Sequence, residues 1–104
     1  MTIKSDNNRN YKALLKAGNK AQLIKLKQNG HKKGFEEIDM FYVLAKIIEE
    51  VDELRDELCD RSGYGGSVHE PKNIIDYKAA MYEAADIANY AHMVILQCER
   101  KIKD

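Results

Sequence analysis

Apolar positions recur at helical spacing in three stretches of the chain. Tyr11, Leu14, Leu15, Ala21, Ile24 and Leu26 mark the first, a basic amphipathic helix predicted to end near Asn29-Gly30, with Gly18 weakening its middle. Residues 1–8 are polar and are predicted to fray. A second helix is predicted over about residues 36–58. Residues 38–48 are apolar on nearly every side, and the rest narrows to the stripe Ile47, Val51, Leu54 and Leu58. A third helix is predicted over about residues 72–100, rich in alanine at positions 79, 80, 84, 85, 88 and 91, which permits close helix approach. Between them, His31 to Gly34 reads as a turn. Residues 60–72, with Gly63, Gly65, Gly66 and Pro71, read as the main loop, Pro71 suiting the first turn of the third helix. No strand alternation is visible.

These elements make residues 1–104 one all-α domain. A helix apolar all round is buried against more than one partner, yet three helices do not close a four-helix core comfortably. A helical bundle completed by dimerisation is the expected architecture.

Composition narrows the class. The chain is 44% hydrophobic and 33% charged with one proline, the profile of a helical globular protein rather than a disordered one. Net charge is zero but unevenly spread, with nine Lys/Arg against Asp6 alone in residues 1–34 and eight against sixteen acids in the remainder. A basic segment beside an acidic one serves phosphate binding, nucleic-acid contact or simple complementarity between helices or subunits. Cys59 and Cys98 form neither a disulfide framework nor a zinc spacing and are expected as reduced thiols. No apolar run approaches the roughly 20 residues needed to span a bilayer and no signal core opens the chain, so a cytoplasmic protein without a membrane partner is expected.

The acids carry the chemistry. Glu49, Glu50 and Glu53 lie on the second helix, and Glu83 and Asp86 are the only formal charges between Met81 and Ile95 on the third. Glu83 aligns with Ile87, Tyr90 and Val94, so it points where the core should be. Burying an unpaired carboxylate costs several kcal/mol or forces it to protonate, so it needs a cation, strong donors or a metal. Glu50/Glu53 and Glu83/Asp86 are each three apart and project from one helix face. Two such pairs on facing helices make an oxygen-only site, which favours Mg2+ or Mn2+ over zinc, and the chain has no Glu-x-x-His for a ferritin-like di-iron centre. For residues 49–57 the plainer reading is a solvated helix face partnered by Lys46 and Arg55. A carboxylate-held Mg2+ with open positions binds phosphates and activates water, so phosphoryl or nucleotidyl hydrolysis is the leading chemistry. No Walker loop is present.

At these residues the sequence resembles the MazG-like family of all-α nucleoside triphosphate pyrophosphohydrolases, whose E-E-x-x-E and E-x-x-D motifs read here as Glu49-Glu50-Val51-Asp52-Glu53 and Glu83-Ala84-Ala85-Asp86. EAADIANYAHMVI and HKKGF are similar to segments of the family's phage and prophage branch, and the resemblance spans roughly residues 20–97. It departs in a long gap between Glu53 and Glu83 and in Lys33 and Phe35, where Gly and Trp are commoner. The resemblance implies Mg2+-dependent cleavage of an NTP or dNTP between the α and β phosphates, in a homodimer or dimer of dimers. By motif it makes Glu50, Glu53, Glu83 and Asp86 metal ligands, with Glu49 either a further ligand or the group that orients attacking water; Glu49 and Glu53 are the candidate catalytic acids. Lys32, Lys33 and His31 are candidate phosphate contacts or a solvated turn. Asn89 is a candidate contact to substrate, its alternative being a helix–helix hydrogen bond. His92 is expected as a packing residue rather than a ligand. The rival class is a non-catalytic nucleic-acid or protein-binding module that uses the basic first helix, though nucleic acid is not the expected partner.

Overall fold

The computed structural model describes residues 3–29, 37–62 and 68–103, which form three helices and one hairpin in the order α1 (Ile3–Asn29), α2 (Met40–Leu58), β1 (Cys59–Ser62), β2 (Val68–Pro71) and α3 (Tyr77–Lys103). The mostly helical expectation holds, with corrections at the boundaries. Helix α1 runs from Ile3 to Asn29.

Helices α2 and α3 both start later than the apolar pattern predicted, and the reason is the same at each. Asp39 caps α2, its carboxylate accepting from Phe41 N at 3.2 Å. Asp76 accepts from Ala79 N at 3.0 Å, and its carbonyl accepts from Ala80 N at 3.0 Å. An Asp side chain that takes an orphan N–H marks the start of a helix more sharply than hydrophobic periodicity does. Pro71 is accordingly not in the first turn of α3. It ends β2.

The hairpin is the main departure from an all-helical reading. β1 and β2 pair antiparallel with Cys59 opposite Pro71, Asp60 opposite Glu70, Arg61 opposite His69 and Ser62 opposite Val68. Helix α2 passes into β1 without a loop: Cys59 is already extended (φ −130°, ψ 144°), while its N–H still donates to Arg55 O. Lys72 N donates to Leu58 O at 2.9 Å, which extends the ladder one step toward the helices. The pairing puts two acids, Asp60 and Glu70, directly opposite one another, an unfavourable cross-strand pair. The strand sequences CDRS and VHEP carry no apolar–polar alternation, which is why the pattern did not announce the hairpin. It takes up the long interval between Glu53 and Glu83.

Helix α3 is the centre of the fold, with α2 and α1 each packed principally on it. Val43 of α2 is fully buried, and Ala80, Ala85 and Met93 of α3 and Ala21 of α1 are the other buried apolar side chains among the described residues. The small residues let the helices approach closely. Gln97 Nε2 donates to Ile38 O at 2.6 Å and pins the entry of α2 to α3. Within one chain the apolar half of α2 is not buried on several sides, as its sequence predicted: Phe41 is 80% exposed, and Tyr42, Leu44 and Ile48 are also exposed. The radius of gyration is 16.9 Å, against about 13 Å for a compact chain of this length. The accessible surface is 8245 Å², where a compact monomer of this mass has about 6,000 Å². Among the described residues no helix is long and apolar enough to cross a membrane, and Cys59 and Cys98 are free thiols.

Candidate metal centre

Helix α2 turns Glu50 and Glu53 toward α3, and α3 answers with Glu83 and Asp86. One carboxylate oxygen from each of Glu50, Glu83 and Asp86 lies within 4.8 Å of the others. Glu53 stands at the exposed edge, close enough to share a proton with Glu50 and with Glu83. Glu50 Oε2 and Glu83 Oε2 are fully buried and accept from no donor. What faces them is other carboxylate.

Electrostatics follow from this crowding. Burial pushes the Glu50 carboxyl up to about 8, helped by proton sharing with Glu53 and Glu83 and by the charges of Glu53 and Asp86. Glu83 is also raised, chiefly by burial and then by Glu53 and Asp86, although its hydrogen bond with Glu50 acts the other way. The group therefore binds a proton at neutral pH when no cation is present, and protonation belongs to the cluster rather than to one residue. The Tyr90 phenol is raised by burial, against the opposing pull of Lys46 and with help from Tyr42, Glu50 and Asp86.

The residues present fit a divalent cation. Two buried carboxylate oxygens without donors are a costly arrangement that a cation would relieve, and an oxygen-only donor set suits Mg2+ or Mn2+. Glu50, Glu83 and Asp86 would hold it, with Glu53 alongside.

Asp86 differs from the two glutamates because α1 reaches it. Lys25 Nζ lies 3.5 Å from Asp86 Oδ2, and Asn29 Nδ2 donates to Oδ1 at 3.2 Å. Lys25 also sits 6.0 Å from the centre of the Tyr82 ring. Sequence reasoning missed both α1 residues. The available signal was the polar stripe Gln22, Lys25 and Asn29, spaced three and four apart along one face of an otherwise basic helix.

Other candidates are placed elsewhere. Glu49 is on the solvent side of α2, its Oε2 paired with Lys46 Nζ at 3.3 Å, so it does not join Glu50, Glu83 and Asp86. Asn89 is spent on α1: it accepts from Gln22 Nε2 at 3.2 Å and donates to Gln22 O at 3.0 Å, a buried helix–helix pair instead of a contact to the carboxylates. Gln22 Nε2 also lies 2.8 Å from His92 Nδ1. These three side chains line a groove of about 500 Å³ between α1 and α3, walled by Leu23, Leu26 and Met93. His31, Lys32 and Lys33 lie outside the described residues.

Set against protein-family models, curated proteins and solved structures, the chain gives no significant match to any of them.

Proposed function

We propose that the chain is a Mg2+-dependent nucleotide pyrophosphohydrolase of the MazG-like kind, cleaving an NTP or dNTP between its α and β phosphates to the monophosphate and pyrophosphate. The observation that carries the reading is the meeting of Glu50, Glu83 and Asp86 from two helices, with two buried oxygens that have no donor. A divalent cation held there would neutralise phosphate charge and lower the pKa of a bound water. In this reading Glu53, exposed beside Glu50 and Glu83, takes a proton from the attacking water. The water oxygen bonds to phosphorus as the anhydride bond breaks, and pyrophosphate leaves. Glu49 faces solvent and has the weaker claim to that role.

The working unit in this reading is a homodimer or a dimer of dimers. Its support is the excess surface and radius of the single chain and the exposed apolar side of α2, which a second copy would cover. Sedimentation equilibrium checks it, with a monomer at micromolar concentration as the contrary result.

The deciding experiment measures monophosphate and pyrophosphate release from a panel of NTPs and dNTPs with Mg2+ or Mn2+, for the wild type and for folded Glu53→Gln and Glu83→Gln. Metal-dependent release by the wild type that both variants lose establishes the reading. No hydrolysis with either metal overturns it, and strongly salt-dependent RNA or DNA binding without metal would then point to the basic helix.

A further inference from the structure

We propose that Lys25 is the resident counter-ion of the carboxylate cluster: it neutralises Asp86 in the metal-free chain, opposes entry of a divalent cation, and is redirected to the phosphates of bound nucleotide. The inference rests on the metal-binding reading above and adds a residue from a third helix to it.

The three carboxylates are unequal. Both oxygens of Asp86 are engaged from α1, Oδ2 by Lys25 at 3.5 Å and Oδ1 by Asn29 at 3.2 Å, whereas Glu50 and Glu83 each keep a buried oxygen with no donor. The Lys25–Asp86 pair is largely withdrawn from water, with side-chain exposures of 19% and 12%, so the attraction is not the weak, screened kind found on open surface. A monovalent cation thus already occupies the one side of the cluster that α1 covers. A divalent cation drawing on Asp86 must displace that ammonium from Oδ2 or sit against its charge, and either raises the cost of binding metal alone. Nucleotide reverses the sign. A triphosphate brings several negative charges to the same place, and a strongly donating ammonium on a flexible stem pairs with phosphate oxygens well. Lys25 should therefore weaken the affinity for bare cation and strengthen the affinity for the nucleotide complex.

A lysine that merely ties α1 to α3 would not have this split signature. Removing a structural tie lowers both affinities or neither.

The test uses Lys25→Met, which keeps the stem beside Tyr82 and removes the charge, with Lys25→Gln as a second neutral variant should Met perturb folding as judged by circular dichroism. Mn2+ binding without nucleotide is read by electron paramagnetic resonance. Binding of a non-hydrolysable α,β-methylene triphosphate at saturating Mn2+ is read by calorimetry. Free Mn2+ is expected to bind the variant about three- to ten-fold tighter and the analogue about ten-fold weaker, the loss expected of one charge-assisted contact. Unchanged or weaker Mn2+ affinity in a folded variant overturns the counter-ion role, and unchanged analogue affinity overturns the phosphate role. If wild-type protein binds no Mn2+, with Glu50→Gln as the reference for a lost site, the underlying metal reading has failed, a result separate from either.

Discussion

Two faces of α2 carry the same residue type and meet opposite fates. On the outer face Glu49 pairs with Lys46 at 3.3 Å and Asp52 with Arg55 at 2.7 Å, both i,i+3 pairs in contact with solvent. On the inner face Glu50 meets Glu83 and Asp86 of α3, with Glu53 at the exposed edge, and two of the oxygens find no donor. Outer acids are satisfied by their own helix and by water. Inner acids are left in excess by the fold, and that excess is what a cation can use.

The largest effect is expected from neutralising the inner face. If the cluster holds the catalytic cation as proposed, Glu50→Gln or Glu83→Gln should abolish Mg2+-dependent turnover, by at least about a hundred-fold, because each removes one of the carboxylates that would bind it. The same change should raise the melting temperature of the metal-free protein at pH 8 by about 5 °C, since repulsion is relieved. A variant that lost activity yet melted lower at pH 8 would break the comparison.

A smaller effect is expected from pH. The folded-state pKa of Glu50 is raised to about 8 from an ordinary value of 4.5, and Glu83 moves the same way. Between those values the folded state holds more protons than the unfolded one, so stability present at low pH is lost as pH rises toward 8. Thermal melts of metal-free protein should fall across that window, and added Mn2+ should raise the melting temperature more at pH 8 than at pH 6, because the proton no longer competes. An equal shift at both pH values would mean that the cluster does not hold the ion.

The smallest effects belong to the outer face. Asp52→Asn should change stability by no more than about 0.5 kcal/mol, the usual worth of an exposed helical ion pair. Glu49→Gln should leave Mn2+ affinity within about two-fold, since its carboxylate is turned toward Lys46. A loss of activity in Glu49→Gln as deep as that of Glu50→Gln would show that this side chain swings inward during the reaction.

The helices were legible because periodicity and composition act locally. Their starts were not, because Asp39 and Asp76 override the apolar pattern through single hydrogen bonds. The hairpin was hidden for a related reason: its ladder uses backbone groups, and Asp60 opposite Glu70 gives no alternating signature to read. Among site residues, the spacing of Glu50, Glu83 and Asp86 announced a convergence, since an acid on an otherwise apolar helix face has to meet a cation, a donor or a proton once the helix packs. Asn89 shows the limit of such reasoning. It follows Asp86 by three residues, yet Gln22 of α1 takes both sides of its amide.

What the amino-acid order decided alone was therefore the helical class, the helix faces and the two acidic pairs, because each depends on neighbours within one or two turns. Which acids would be solvated and which crowded, and that Lys25 and Asn29 would reach Asp86 from residues some sixty positions away, were decided by how α1, α2 and α3 pack. Burial and charge–charge energies depend on distance through space, and separation along the chain does not report it.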